Sequence, residues 1–356
     1  MSVPEAELLL KHAVFPPNRP LLVVGCPDRA TALELAQMTA DSTITIVLDD
    51  YARWREMKDL GPRISARFGW NSGETASCAS AAVFLPRERD LAEIVLGSTA
   101  RAVQPDGPVW LVGSIRSGAR SLRPRIERAI GPVEASFSGR HCVLFRTARK
   151  AIPSAAAEDN PAREFAFPFA GREVKAVSLP GVFSHGRLDP GTRLLLDTLE
   201  GAEGRQIPPN ANNPGARMLD FGCGAGVIGA ALWLAQPDAD IALVDSSALA
   251  VESAKRTLGS NGLPPGAASP SDVFSDVTGR YDLIVSNPSF HSGTGTDHRV
   301  AEALIKEAPA RLDHGGRLRI VANRFLKYPP LLKAAFGEFL TIASDGRYAV
   351  YEAVRR

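Results

Sequence analysis

The chain has 356 residues, of which 45% are hydrophobic and 22% charged, and this composition excludes both a disordered protein and a small disulfide-rich scaffold. Its length is sufficient for two domains, each with a hydrophobic core. The formal net charge of +2 excludes a uniformly basic protein, but residues 1–150 carry 20 Lys and Arg against 16 Asp and Glu. The first half is therefore the better candidate for binding a polyanion.

The cysteines and the apolar runs exclude further classes. Cys26, Cys78, Cys142 and Cys223 are scattered, so we expect neither a metal site nor disulfides, but buried thiols in a cytoplasmic protein. No apolar run approaches the roughly 20 residues that span a bilayer, so we expect no membrane partner. The N-terminus is acidic and lacks the apolar region of a signal peptide.

Strand and helix patterns alternate through the first half. We predict strands at 21–25, 43–48, 81–85 and 108–112, helices at 30–39, 88–103 and 122–130, and a hairpin from 133–137 and 141–146. This alternation predicts a parallel sheet with an antiparallel end.

The second half repeats this plan at an offset of about 200 residues. Segments 21–26, 44–49, 107–112 and 138–141 correspond to segments 218–223, 241–245, 316–321 and 345–348. Such a long internal repeat indicates two copies of one fold. We predict a first domain at 1–150, a linker at 151–165 that is rich in Ala, Ser and Glu, and a second domain at 166–356.

A glycine-rich turn between a strand and a helix marks the second copy. Gly222, Gly224 and Gly226 follow a buried strand at every second position, which is typical of a nucleotide-binding turn that a ligand approaches closely. Asp220 lies inside the strand, where a carboxylate can reach the amino group of a methionine moiety and would repel a pyrophosphate. Asp245 ends the next strand and is placed to accept hydrogen bonds from ribose hydroxyls. The pattern favours S-adenosylmethionine over a dinucleotide.

A third strand ends in a motif that indicates the reaction. Residues 281–290 read Tyr-Asp-Leu-Ile-Val-Ser-Asn-Pro-Ser-Phe, which resembles the Asn-Pro-Pro-Phe/Tyr signature of methyltransferases that act on planar nitrogens. We expect the Asn287 side chain and the Pro288 carbonyl group to accept the two amine N–H groups. Phe290 would stack on the base. Ser289 replaces the usual second proline, and we expect this to loosen the turn without abolishing activity.

Residues between these motifs complete the predicted cofactor pocket. Asp272 is placed to accept a hydrogen bond from the adenine amino group, with Val273 beside the ring, although a capped turn would explain the same residues. Asp189 reads as a helix N-cap followed by Pro190. The preceding loop, 179–184, either closes over the cofactor or contributes Phe183 to the core.

The first copy lacks these features. It has Pro27, Asp28 and Arg29 where the second has the glycine turn, and Pro86 where the second has the asparagine. We therefore expect it to be degenerate and to bind no cofactor. This copy also contains an arginine cluster. Guanidinium groups bind phosphates well, which would suit RNA contact, but such a run of charges is also typical of a helix face exposed to solvent. The cluster consists of Arg116, Arg120, Arg123, Arg125 and Arg128, with Glu127 the single acid among them.

With these motifs in view, the chain resembles the bacterial 16S ribosomal RNA guanine-N2 methyltransferases. The most specific segments are 179–184, 219–227, 276–282 and 319–326. The resemblance implies two tandem Rossmann-like class I methyltransferase domains, the first degenerate and helping to bind RNA. It also implies N2-methylguanosine formation in small-subunit rRNA, with rRNA or the 30S subunit as partner. Asn287, Pro288 and Phe290 would form the base site. We expect a monomer.

Two alternatives remain open from the residues alone. One is methylation of another planar nitrogen, such as a large-subunit rRNA guanine or a protein glutamine. The other is a non-enzymatic RNA-binding assembly factor with a vestigial pocket. The intact glycines and Asn287 argue against the second alternative, and the degenerate copy with its arginines argues for an RNA substrate.

Overall fold

The structure is a computed structural model that describes residues 3–39, 41–73, 75–150, 162–200, 207, 209–288 and 295–356, with the backbone alone at 209–210 and 295–298. The chain divides into two compact units, Met1–Pro161 and Ala162–Arg356.

The first unit contains one seven-stranded sheet with helices between its strands. Its elements are α1 (Pro4–His12), β1 (Leu21–Val24), α2 (Arg29–Met38), β2 (Ile44–Leu48), α3 (Tyr51–Met57), β3 (Ile64–Phe68), β4 (Ser80–Phe84), α4 (Arg89–Ala102), β5 (Pro108–Ser114), α5 (Arg123–Ala129), β6 (Val133–Gly139) and β7 (Cys142–Ala148). The strand order is β3-β2-β1-β4-β5-β7-β6. Strands β1 to β5 are parallel, and β7 runs antiparallel to both of its neighbours.

The second unit begins with a separate hairpin and continues with a second seven-stranded sheet. Its elements are β8 (Arg163–Phe169), β9 (Arg172–Ser178), α6 (Pro190–Asp197), β10 (Arg217–Phe221), α7 (Val227–Ala235), β11 (Asp240–Asp245), α8 (Ala248–Ser260), β12 (Ala268–Pro270), β13 (Tyr281–Ser286), α9 (Gly295–Arg311), β14 (Leu312–Asn323), α10 (Tyr328–Phe336), β15 (Leu340–Ser344) and β16 (Tyr348–Val354). The order of the large sheet is β12-β11-β10-β13-β14-β16-β15.

The two large sheets have the same topology. Each strand of the first sheet has its counterpart at the same place in the second, with β1 matching β10, β2 matching β11, β4 matching β13 and β5 matching β14. The antiparallel pair β6–β7 matches β15–β16. The tandem duplication that the sequence repeat predicts is therefore confirmed.

The β8–β9 hairpin is an element that the sequence reading did not anticipate. Strand β8 begins at Arg163, inside the predicted linker 151–165, and pairs with β9 from Arg163↔Ser178 to Phe169↔Arg172. Residues 151–161 lie outside the described part of the chain. Hydrogen bonds join the end of β9 to α8, because the Thr257 hydroxyl group is 2.9 Å from the Val177 nitrogen and 3.2 Å from its oxygen.

Apolar side chains on both faces of each large sheet form the cores. In the second unit, Leu219 and Phe221 pack on one side of β10, while Met218 packs on the other side beneath α7. The four cysteines are buried and unpaired, as expected. In the part of the chain that the structure describes, no helix is both long and apolar enough to cross a membrane.

Candidate functional site

Three parallel strands bring the predicted site residues to one edge of the second sheet. Strand β10 lies between β11 and β13 and is parallel to both. The glycine turn follows β10, Asp245 ends β11, and Asn287 follows β13. The carboxyl ends of neighbouring parallel strands are where open α/β sheets bind ligands.

The glycine turn has a backbone that only glycine adopts without strain. The φ angles are +66° at Gly222, +52° at Gly224 and +73° at Gly226. A Cβ atom at Gly222 would have no neighbour within 4 Å, and one at Gly224 would meet only a Val182 methyl carbon at 3.9 Å. A Cβ atom at Gly226 would lie 2.9 Å from the Ala254 Cα atom of α8. The first two glycines border open space, and the third permits close packing of α7 against α8.

Asp220 is fully buried below this turn. Its Oδ2 atom accepts a hydrogen bond of 2.8 Å from the Gly229 nitrogen in the first turn of α7. Its Oδ1 atom is also buried and has no partner among the described residues. Burial raises the pKa of Asp220 to about 7, the Gly229 hydrogen bond opposes that rise, and the charge of Asp245 adds to it. A buried acceptor without a partner is a place where a ligand amine or a water molecule is needed.

Asp245 holds the glycine turn from the neighbouring strand. One carboxylate oxygen accepts from the Gly224 nitrogen at 2.9 Å and the other from the Ser247 nitrogen at 3.0 Å. Burial raises the pKa of Asp245, and these backbone hydrogen bonds lower it. The carboxylate oxygens have further lone pairs that can accept hydroxyl donors.

The segment after β12 has a strained backbone. Val273 has a φ angle of +52°, which is unfavourable for a β-branched residue. The Ser271 hydroxyl group donates to the Val273 oxygen at 2.9 Å and accepts from the Asp276 nitrogen at 3.2 Å. The Asp272 nitrogen donates to the Ser275 hydroxyl group at 3.1 Å. Strain that neighbouring hydrogen bonds maintain is frequent at ligand sites.

Asn287 lies immediately after β13, and its side chain contacts α6. The amide nitrogen Nδ2 is 3.1 Å from Asp189 Oδ2 and 2.8 Å from Thr192 Oγ1. Asp189 is the N-cap of α6, as the sequence predicts, and accepts from the Thr192 nitrogen at 3.0 Å. Pro288 is buried. Ser289 and Phe290 lie outside the described residues.

The sequence reading missed the contact between α6 and Asn287. It identified Asp189 only as a helix cap, because the Asp-Pro pair is a local signal. The hydrogen bond to Asn287 spans 98 residues, and no local pattern reports a contact of that kind. Thr192 had no role in the predicted site.

The loop at 179–184 lies beside the glycine turn. The Leu179 nitrogen donates to the Ser253 hydroxyl group of α8 at 3.0 Å, and a Val182 methyl carbon lies 3.9 Å from the position that a Cβ atom would take at Gly224. Phe183 is 44% exposed. The alternative that Phe183 is a core residue is therefore wrong.

The corresponding turn of the first unit is closed. A Cβ atom at Gly25 would lie 3.0 Å from the Phe84 carbonyl oxygen. The Asp28 carboxylate caps α2 and accepts from the Thr31 nitrogen at 2.7 Å. In the second unit the equivalent cap is Gly226, so no side chain occupies the start of α7. The first copy has the fold without an open cofactor turn, as the sequence predicts.

The predicted RNA-binding arginines divide into two groups. Arg123 pairs with Glu127 at 3.0 Å, and Arg125 pairs with Glu93 of α4 at 2.6 Å, a partner that the sequence did not suggest. Arg116, Arg120 and Arg128 are exposed. No carboxylate lies within ion-pair distance of these three among the described residues. The described residues also contain no group of three His, Cys, Asp or Glu side chains that could hold a metal ion.

Comparison with known proteins gives consistent matches over both units. The family model for the methyltransferase small domain matches residues 173–352, and the model for its N-terminal domain matches residues 6–161. A protein from Stutzerimonas stutzeri named ribosomal RNA small subunit methyltransferase C is 37% identical over 99% of both chains. A protein of the same name from Chromohalobacter salexigens is 43% identical over 79% of this chain and 80% of its own.

A solved structure also matches nearly the whole chain. It is the T. thermophilus 16S rRNA N2 G1207 methyltransferase in complex with AdoMet and guanosine. The TM-score is 0.84 at 26% sequence identity, and the match covers 99% of this chain and 92% of that one.

Proposed function

The chain belongs to the ribosomal RNA small subunit methyltransferase C family, and we propose that it methylates the N2 nitrogen of a guanine in 16S rRNA, with S-adenosylmethionine as donor. One observation carries the proposal: neighbouring strands β10 and β13 bring an open glycine turn and the Asn287-Pro288 pair to the same edge of one sheet. By analogy with the T. thermophilus relative, the target is the nucleotide equivalent to G1207, in rRNA or in the 30S subunit of the cytoplasm.

The residues at this edge fit S-adenosylmethionine. The Asp220 oxygen without a partner can accept a hydrogen bond from the amino group of the methyl donor. The open space at Gly222 admits a ligand close to the backbone. Asp245 would accept from the ribose hydroxyls. Asp272 and Val273 would hold the adenine ring, and the Asp272 carboxylate has no partner of its own among the described residues. When bound, S-adenosylmethionine supplies a methyl group that its sulfonium charge already activates.

The predicted base site would bind the guanine N2 nitrogen, which is a weak nucleophile. The lone pair of the guanine N2 nitrogen is delocalised into the ring, so two acceptors that hold its N–H groups favour a pyramidal nitrogen with the lone pair directed at the methyl carbon. Asn287 Oδ1 and the Pro288 carbonyl oxygen supply these acceptors. With its lone pair held in that direction, N2 would take the methyl group, the electron pair of the broken bond would stay on the donor's sulfur, and one N2 proton would leave to water. Positioning supplies most of the rate enhancement. Phe290 would stack on the base.

The test is methyl transfer from labelled S-adenosylmethionine to 30S subunits and to free 16S rRNA that lack this modification. We expect N2-methylguanosine as the product in nucleoside mass spectrometry. Asn287→Ala should abolish most of the transfer, whereas Asn213→Ala, a change in an exposed loop, should leave it intact. Methylation at the wild-type rate by Asn287→Ala would refute the assignment of the base site.

A further inference from the structure

We propose that Asp189 and Thr192 are positioning residues that fix the orientation of the Asn287 carboxamide, so that its carbonyl oxygen faces the substrate amine. The inference deepens the proposed function and rests on it. It concerns Asp189, the N-cap of α6, and Thr192 in the first turn of that helix.

A carboxamide can accept a hydrogen bond from an amine substrate in only one of its two orientations. The oxygen accepts hydrogen bonds and the nitrogen donates them, and a rotation of 180° exchanges the two. With its NH2 group toward the substrate, Asn287 would present donors to an amine that is itself a donor. The surrounding acceptors must therefore determine the orientation.

Asp189 determines which end of the amide faces α6. Its Oδ2 atom already accepts from the Thr192 nitrogen at 3.0 Å, as an N-cap must, so it acts as an acceptor at this place. The same Oδ2 atom lies 3.1 Å from the Asn287 side chain. An amide oxygen there would face a carboxylate oxygen, which is unfavourable, whereas the amide nitrogen gains a charge-assisted hydrogen bond.

Thr192 engages the second hydrogen of the same nitrogen. Its hydroxyl oxygen is 2.8 Å from Asn287 Nδ2, and the residue is only 4% exposed. The two acceptors use both N–H bonds of the amide. Oδ1 consequently points away from α6, and no described residue donates to it. It remains available for the substrate amine.

Both the end of β13, which precedes Asn287, and helix α6 are hydrogen-bonded to the sheet. At the end of β13, the buried Ser286 hydroxyl group donates to the Phe221 oxygen of β10 at 2.7 Å. At the far end of α6, Arg319 of β14 donates to the Thr198 oxygen at 2.7 Å. Such anchoring keeps a functional group in a fixed geometry.

Two variants remove the positioning contacts while preserving the helix. Asp189→Ser keeps an N-cap residue but is too short to reach Asn287. Thr192→Val keeps the shape but removes the acceptor. For both we expect the Kd for S-adenosylmethionine and the KM for 30S subunits to stay within about threefold of wild type, and kcat to fall roughly 10- to 100-fold. The conservative variants Asp189→Asn and Thr192→Ser retain acceptors and should recover most of the lost kcat.

A double-mutant cycle distinguishes positioning from a separate effect. Because Asp189 acts through Asn287, Asp189→Ser should lower kcat no further in the Asn287→Ala background. An equal loss in both backgrounds, or a wild-type kcat in Asp189→Ser, would overturn the inference.

The side-chain NH2 group of Asn287 gives a measurement that needs no substrate. In wild-type protein with 15N-labelled asparagine, we expect its protons to exchange slowly, and to exchange faster in Asp189→Ser and Thr192→Val. Unprotected protons in the wild-type protein would contradict the inference. A protein that shows the protection and binds S-adenosylmethionine, but methylates no small-subunit guanine, would instead refute the proposed function.

Discussion

Gly222 and Gly226 both have a left-handed backbone, yet an added methyl group would meet different surroundings at each. At Gly222 it would enter open space, and at Gly226 it would be 2.9 Å from the backbone of α8. The sequence predicts both as cofactor contacts. In the structure, Gly226 also permits the close packing of α7 against α8. This structural role can be tested separately from cofactor binding.

We expect Gly226→Ala to destabilise the fold and Gly222→Ala to weaken cofactor binding. Gly226→Ala combines a steric clash with backbone strain, so it should lower the melting temperature more. Gly222→Ala should add only strain of roughly 1–3 kcal/mol, but should weaken S-adenosylmethionine binding at least tenfold in a calorimetric titration. Gly215→Ala is the matched control, because Gly215 has a φ angle of +74° and open space around it. An unchanged affinity in Gly222→Ala would argue against the proposed pocket.

The buried carboxyl group of Asp220 predicts an unusual pH dependence of stability. Its pKa rises from 3.8 to about 7 on folding. Between pH 3.8 and about pH 7 the folded protein keeps a proton on Asp220 that the unfolded chain releases. The free energy of unfolding is therefore higher at low pH, and this contribution of Asp220 is lost as the pH rises toward 7. As the pH rises in the absence of ligand, the free energy of unfolding of the wild-type protein should fall, relative to that of Asp220→Asn, by at most about 1.4 kcal/mol per pH unit. Denaturant unfolding of both proteins from pH 4.5 to pH 8 measures this difference, and a constant difference would contradict the prediction.

Site residues with a local signal could be predicted from the sequence, and those defined by distant contacts could not. The glycine turn and Asn287 follow apolar strands directly and Asp245 ends one, so their common edge follows from the parallel topology. Thr192 sits in an ordinary helix, and its contact with Asn287 depends on how α6 packs on the sheet.

At the scale of elements, α6 depends on a buried ion pair in the adjacent strands. Arg319 of β14 and Glu352 of β16 are 3% and 4% exposed and are joined by a hydrogen bond of 2.9 Å. The same guanidinium group donates to the Thr198 oxygen at the end of α6. The pair therefore connects the sheet to the helix that holds Asn287.

We expect Glu352→Ala to destabilise the protein by about 3–5 kcal/mol, because it removes the buried carboxylate that pairs with both Arg319 and Arg317. Glu338→Ala should have little effect, since Glu338 is 76% exposed and forms its ion pair with Arg356 at the surface. The double variant Arg319→Met/Glu352→Leu should recover much of the lost stability. Denaturant unfolding measures all three, and equal effects of Glu352→Ala and Glu338→Ala would contradict this account.

Elements with strong apolar runs were predictable, and amphipathic or short ones were not. The helix that the sequence predicts after the glycine turn is α7. The β8–β9 hairpin was missed because each strand begins with two adjacent charged residues, Arg163-Glu164 and Arg172-Glu173, and β8 also contains Pro168. Strand β12 has only three residues and ends in proline, so it has no recognisable period.

At the scale of the whole molecule, the two copies have the same sheet order but different loops at the edge of the sheet. The open turn of the second unit contrasts with the first, where Asp28 caps α2 and the Phe84 carbonyl oxygen borders Gly25. A closed turn and exposed arginines are consistent with the prediction that the first unit contacts RNA and binds no cofactor. We propose that this contact depends on its surface charge.

We expect this contribution to come from the arginines that lack a carboxylate partner among the described residues. The triple variant Arg116→Gln/Arg120→Gln/Arg128→Gln should weaken 16S rRNA binding and reduce the slope of log affinity against log salt by up to about 2–3 units, since each lost phosphate contact removes roughly 0.7–0.9. Arg123→Gln/Arg125→Gln should have a smaller effect, because Glu127 and Glu93 already offset these charges. Filter binding at several salt concentrations measures both slopes. A triple variant with the wild-type slope would place the RNA contacts elsewhere, because the free charges are the part of this surface that can release counter-ions from RNA.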